Sequence, residues 1–242
     1  MNLVVDIGNS RLKWSHVDKG PWRAGQSVLL QDDLGVLLDQ IWRDAPLPET
    51  IVVSNVSGTQ VAERVHQWTM SNWGLEPEFF QSAACFKTII NEYKNPAQLG
   101  CDRWAAIIGA RSLVSGDLCV VDCGTAVTID VLTGEDRFIG GIIFPGVDLI
   151  RHSLLSGTVD INEHRANLEE ALGRTTAECV TAGSLFGAAG GIDRILNEMT
   201  AMLEQPRLYI TGGGARILIP LLDHSLQHDP DLVLIGLAQT LN

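Results

Sequence analysis

No segment of the 242-residue chain is apolar for long enough to cross a membrane. Even Val120 to Leu132 is interrupted by Asp122, Thr125, Thr128 and Asp130, where a span needs roughly 18 uninterrupted apolar residues. A basic leader is missing as well: the start, Met1 to Asp6, meets an acid at its sixth residue and reads as a first strand, so the expected location is the cytoplasm. Positive charge is scarce, with 17 Lys and Arg against 29 Asp and Glu, and the net charge of -12 without any basic run argues against a nucleic-acid partner. The five cysteines (Cys85, Cys101, Cys119, Cys123, Cys179) form no C-x-x-C pair and have no paired histidines beside them, which excludes a zinc or disulfide framework and leaves buried thiols as the expectation. Walker and G-x-G-x-x-G loops are both absent, so P-loop and Rossmann readings lose. With 45% hydrophobic and 19% charged residues the chain is an ordinary globular protein, long enough for one large domain or two small ones.

What is present is a repeat. Val4-Val5-Asp6-Ile7-Gly8-Asn9-Ser10 recurs in kind as Val120-Val121-Asp122-Cys123-Gly124-Thr125-Ala126, about half a chain later. Each copy is an apolar strand running into Asp, then Gly, then a small polar tip, and each continues into a second strand, Lys13 to Val17 or Val127 to Leu132. A glycine in such a tip lets backbone N–H groups converge on an anion, and the preceding Asp suits a divalent cation. A single Asp-x-Gly is also common hairpin-turn chemistry; two copies at equivalent places point to a pair of phosphate loops. Duplicated domains facing each other would bring both tips to one interdomain cleft. The expected boundary is Ser115-Gly116-Asp117, giving domains 1–115 and 116–242.

Other segments could complete a phosphoryl-transfer site. Strand Leu208 to Thr211 ends in Gly212-Gly213-Gly214 before a helical segment, an arrangement that lets backbone approach a nucleoside. Asn9, Ser10 and Lys13 can meet phosphate oxygens, and Asp6 can hold Mg²⁺ directly or through water. In Gly100-Cys101-Asp102-Arg103, Asp102 stands where an N-cap would, or where a general base for an acceptor hydroxyl would, and Arg103 can clamp a carboxylate or phosphate. Gly140 to Gly146 reads as a sheet edge and turn or as a substrate wall, and the histidines, His152 and His164 among them, as surface or packing residues. Expected regular elements include strand Ile51 to Ser54 and helices near Thr59–Trp68, Asp102–Leu113, Glu169–Leu172 and Ala177–Met202. Gly183, Gly187, Gly190 and Gly191 in the last of these give it a flat face fit for a dimer seam or a domain core.

Taken together, Asp6-x-Gly8-Asn9-Ser10-x-x-Lys13, Gly100-x-Asp102-Arg103, Asp122-x-Gly124-Thr125-Ala126-x-Thr128-x-Asp130 and Gly140-Gly141-x-Ile143-x-Pro145-Gly146 resemble type III pantothenate kinase. The resemblance implies an α/β fold of two actin-like (RNase H-like) domains, each a mixed sheet flanked by helices. It also implies a homodimer that phosphorylates the primary hydroxyl of pantothenate with ATP and opens coenzyme A synthesis. Carried over by position, Asp102 is the proton acceptor; Tyr93, Gly100, Cys101, Asp102 and Arg103 meet pantothenate; Gly8, Gly124, Thr125, Gly212 and Gly213 belong to the nucleotide site. Asp122 would bind a monovalent cation, K⁺ or NH4⁺, and Thr176 would reach the partner subunit's substrate. Thr175 and Ser10 depart from the residues usual in the family, Asn and Thr. The loops alone also fit a kinase for another small hydroxylated acid or sugar, a nucleotide-binding regulatory protein, or a bare ATPase.

Overall fold

The structure of the protein, a computed structural model, describes residues 1–157 and 171–241. The reading of His164 and the start of the expected helix at Glu169 lie outside these residues, and Ala171 and Leu172, its remainder, are not helical. In chain order the first elements are β1 (Asn2–Ile7), β2 (Arg11–Val17), β3 (Gln26–Leu29), α1 (Leu34–Trp42), β4 (Ile51–Asn55), α2 (Thr59–Trp73), β5 (Glu78–Phe79), β6 (Cys85–Phe86), β7 (Ile89–Asn91) and α3 (Cys101–Leu113). There follow β8 (Leu118–Cys123), β9 (Ala126–Leu132), β10 (Arg137–Pro145), α4 (Val147–Gly157), α5 (Thr176–Thr200), β11 (Arg207–Thr211), α6 (Ala215–Leu218), β12 (Gln227–His228) and α7 (Leu232–Ala238).

Two compact units emerge. The first comprises Met1–Ser115, Asp136–Ile139 and the C-terminal segment from Asp231; the second comprises Gly116–Glu135 and Gly140–Pro230. Two segments therefore leave the second half of the chain for the first unit, a difference from the expected split at residue 115. Asp136 is drawn there by an ion pair to Arg111 (2.8 Å) and a hydrogen bond from the Thr88 hydroxyl (2.6 Å), while Phe138, fully buried, packs against Trp104 and Tyr93.

Unit 1 is built on a sheet of order β3-β2-β1-β4-β5, with β1 antiparallel to β2 and parallel to β4. Because β1 is central and covered on both sides, it is a nearly unbroken apolar run rather than an alternating one. Leu3, Val5 and Ile7 face α1 and α2 together with Trp14, Trp42 and Trp68. Edge contacts bring Trp42 within 5.9 Å of Trp68 and 6.3 Å of Trp14, centroid to centroid, the geometry the ring quadrupole prefers. Helices α3 and α7 pack on the other side of the sheet and cross at a pair of glycines. A Cβ at Gly109 would overlap the Leu232 carbonyl, and one at Gly236 would overlap the Ala105 carbonyl. Backbone touches backbone there, which explains why α7 belongs to unit 1.

Unit 2 repeats the plan. Its strands run in the order β12-β11-β8-β9-β10, with β8 antiparallel to β9 and parallel to β11. Replacing β1, β2, β3, β4 and β5 by β8, β9, β10, β11 and β12 converts one order into the other, so the sequence repeat marks a repeated sheet. Helix α5 covers one face through Ala188, Ala189, Ile192 and Leu196, packed on Val121, Val127, Ile129 and Ile210. Among the described residues, a Cβ added at Gly183, Gly187 or Gly190 of α5 would meet nothing within 4 Å, whereas one at Gly191 would touch the Phe144 ring, so the domain-core reading holds for the last glycine of that stripe and not for the first three. Since the backbone oxygens at the α3–α7 crossing cannot yield, Gly236→Ala should cost about 3 kcal/mol, read as a lower urea midpoint; an unchanged midpoint would contradict the crossing.

Candidate phosphoryl-transfer site

In unit 1 the register of the sheet assembles one set of groups around Asp6. Across the hairpin Asp6 lies opposite Lys13, so both side chains stand on one face, and on the other flank its parallel neighbour is Ser54. Asp6 is 8% exposed, whereas Asn9 and Ser10 at the tip are exposed. The tip is closed by Gly8 N–H donating to the Arg11 carbonyl (3.0 Å) and by Leu30 N–H donating to the Ser10 carbonyl (3.0 Å).

Helix α3 brings the second carboxylate to the same unit. Gly100, extended at φ −55° and ψ 131°, is the N-cap, and its carbonyl accepts the first helical bond from Trp104 N–H (3.0 Å). Asp102 is thus not the cap, as the sequence suggested, but a first-turn residue: its Oδ1 accepts from Arg103 N–H at 2.7 Å, and its charge favours the helix N-terminus. Burial pushes its carboxyl above the usual carboxylate range, against the opposing pull of that N–H and of the Arg103 charge. Cys101 ties this turn to the sheet, with its sulfur 3.5 Å from Ser54 Oγ and 3.6 Å from the Asn55 carbonyl. Burial raises the Cys101 thiol, and the nearby charges of Asp102 and Asp6 raise it further. Arg103, almost wholly buried, donates to the Tyr93 hydroxyl at 3.1 Å with its guanidinium 5.8 Å from the ring centre, and Tyr93 stacks on Phe138. Tyr93, Gly100, Cys101, Asp102 and Arg103 are therefore one contiguous patch.

Unit 2 holds the second loop. Gly124 N–H donates to the Ala126 carbonyl (3.0 Å), leaving Gly124 and Thr125 exposed at the tip, and Asp122 has Thr211 as its parallel neighbour, the counterpart of Ser54 beside Asp6. Two glycine turns grip this loop. Gly146 N–H donates to the Thr125 carbonyl (2.9 Å), and Gly214 N–H to the Cys123 carbonyl (2.8 Å). A side chain at Gly146 would overlap the Gly124 carbonyl, and one at Gly212, whose φ is +90°, would overlap the Asp122 carboxylate. Gly212 thus lies against the second loop itself, while Gly213 is exposed. Thr176 is exposed as the first residue of α5, capped by a reciprocal Thr175–Glu178 box. Among the described residues no three His, Cys, Asp or Glu side chains converge as a metal cage. Asp6 and Asp122, one carboxylate each beside a loop, fit cations that take the rest of their ligands from nucleotide, backbone oxygens and water.

A sequence model of the type III pantothenate kinase family matches residues 2–198. The type III pantothenate kinase of Nitrosococcus oceani is 37% identical, over 99% of this chain and 93% of that protein. The chain belongs to the type III pantothenate kinase family. Solved structures agree on the fold. A candidate Baf family transcriptional activator from Campylobacter jejuni matches with a TM-score of 0.59 at 22% identity, over 98% of this chain and 96% of that one. The activator of 2-hydroxyisocaproyl-CoA dehydratase from Clostridium difficile, solved with ADPNP, matches with a TM-score of 0.55 at 10% identity, over 99% and 93%. The fold is the α/β, actin-like arrangement that the resemblance implied. Helix α7 lies beyond the residues the family model matches, although it packs on the helix that starts at Cys101.

Sequence reading passed over the turn Ser54-Asn55-Val56-Ser57-Gly58, which touches both the first loop and α3; its only signal was an Asn and two Ser after an apolar strand. It also expected five buried thiols, whereas Cys85 and Cys179 are exposed. Burial lifts Cys119 and Cys123 to a pKa of about 12. A thiol-specific disulfide reagent should therefore modify Cys85 and Cys179 in the native protein and reach the other three only on denaturation; rapid reaction of a third native thiol would contradict this burial.

Proposed function

We propose that this chain transfers the terminal phosphoryl group of ATP to the primary hydroxyl of pantothenate, giving ADP and 4'-phosphopantothenate, with Asp102 as the general base. The observation that carries the reading is the arrangement around Ser54: the strand neighbour of Asp6 is also the contact of Cys101, so a loop carboxylate and a desolvated helix carboxylate are supported by one residue. As the acceptor oxygen attacks the γ-phosphorus, its proton passes to the Asp102 carboxylate and the bond to the β,γ-bridging oxygen breaks, leaving ADP. Asn9 and Ser10 donate to phosphate oxygens and Lys13 offsets their charge, with Gly8 allowing the close approach. Asp6 would hold Mg²⁺, whose contribution when bound is to neutralise charge on the transferring group. Gly124 and Thr125 would receive phosphate oxygens in the same manner, Asp122 would hold K⁺ or NH4⁺, and Gly212 and Gly213 would lie along the nucleoside. Tyr93, Gly100, Cys101 and Arg103 would contact pantothenate, whose carboxylate suits the Arg103 fork.

The same reading includes a homodimer in the cytoplasm. Its support is the face of α5 on which Gly183, Gly187 and Gly190 are open beside Phe186, 42% exposed on a 25-residue helix. A second copy seated there would cover the aromatic ring and bring Thr176 of each subunit toward the other's substrate. No helix among the described residues is long and apolar enough to cross a membrane.

A coupled ADP assay with a panel of acceptors tests the reading. ADP should form with pantothenate, and ADP formed without any acceptor would instead mark a bare ATPase. Asp102→Asn should lower kcat by about 10²-fold or more. The pH dependence follows from the raised carboxyl. The base works only when deprotonated, so kcat/KM should fall as pH drops through a value above the ordinary 3.8, and that limb should vanish in Asp102→Asn. Because the fold disfavours the charged form, the neutral Asn should hold or raise Tm at pH 7. Unchanged turnover in the variant would remove Asp102 from the chemistry.

A further inference from the structure

We infer that Ser57, outside every motif that carries the family resemblance, is a positioning residue for the phosphoryl donor; this rests on the nucleotide site proposed above. Its hydroxyl donates to the Gly8 carbonyl at 2.6 Å, a short bond made from 49 residues away in sequence. Gly8 C=O and Asn9 N–H belong to one planar peptide, and none of the peptide bonds among the described residues is cis, so fixing the carbonyl toward Ser57 aims the Asn9 N–H in the opposite direction. The Gly8 N–H is already committed to Arg11. Of the two amides at the start of the loop, the one at Asn9 is therefore the one that Ser57 orients for an incoming anion.

Ser57 is itself held in place. Its N–H donates to Asn55 Oδ1 (3.0 Å), Asn55 Nδ2 donates to the Gly58 carbonyl (2.9 Å), and Gly58 adopts φ +94°, which swings the chain into α2. Directly upstream, Val56 N–H donates to the Ile7 carbonyl (3.1 Å). Unit 2 supplies an independent parallel. There the turn after the equivalent strand, β11, pins the carbonyl of Cys123, the residue that corresponds to Ile7, through Gly214 N–H, and Gly146 N–H fixes the Thr125 carbonyl. Both loops thus have two carbonyls held by donors from outside the hairpin. In the second loop backbone donors do this, and in the first a side chain adds a bond that substitution can remove.

Ser57→Ala should weaken binding of a non-hydrolysable ATP analogue about tenfold by isothermal titration and raise KM for ATP by a similar factor. KM for pantothenate should stay within about twofold, and Ser57→Thr, which keeps the hydroxyl, should restore most of the loss. A purely structural serine would instead lower Tm and move both KM values together, and that outcome, or analogue affinity unchanged in Ser57→Ala, would overturn the inference. The titration needs no acceptor, so it separates the two proposals: analogue binding that depends on Ser57 in a chain inactive on pantothenate would sink the proposed reaction and leave this inference standing. A wild-type chain that binds no nucleotide would sink both.

Discussion

The structure of unit 1 turns on a carboxylate placed at the end of a buried, apolar central strand. Four residues of β1 before Asp6 and Ile7 after it are apolar or uncharged, and the strand is flanked on both sides by ladder partners. A charged group in that setting is costly unless its surroundings compensate it. The neighbours the ladder supplies are a lysine on one side and a serine hydroxyl on the other. From Ser54 the support runs outward to Cys101 and the first turn of α3, and three residues on to Ser57 and Gly8. One short turn therefore braces both the first loop and the helix that carries Asp102.

The repeated topology explains why the two Asp-x-Gly segments look alike while their surroundings differ. Each acid is the penultimate residue of the strand at the middle of a repeated five-strand order, and each has a hydroxyl residue, Ser54 or Thr211, at the parallel register position. The first loop is secured by a side chain and by a neighbouring strand end. The second is squeezed between glycine turns at Gly146 and Gly212, where a side chain would overlap the loop. This accounts for glycine at position 146, the residue of the Gly140 to Gly146 segment whose backbone meets the loop.

Much of this was legible in the sequence, for identifiable reasons. The hairpins, β4, α2, α3 and α5 announce themselves by apolar runs and periodicity, and Asp6, Asp102 and Asp122 stand beside the glycines that define their turns. The short β6 and β7, the terminal α7 and the membership of Asp136 to Ile139 in unit 1 were not legible. They depend on contacts distant in sequence: the Arg111 ion pair, the burial of Phe138 and the Gly109–Gly236 crossing. The N-cap of α3 was misread by two residues because Asp is a good cap and a good first-turn residue alike, and only the backbone of Gly100 decides between them. Ser57 was invisible because a hydroxyl in a turn has no signature until its acceptor is known.

The central claim is that Asp6 and Asp102 act as parts of one support in unit 1. A double-mutant cycle on turnover tests it most directly, with Asp6→Asn, Asp102→Asn and the pair compared by kcat. Groups that work as a unit lose little more together than the worse of them loses alone. The account predicts a double variant within a few-fold of the slower single variant; two losses that multiply would contradict it.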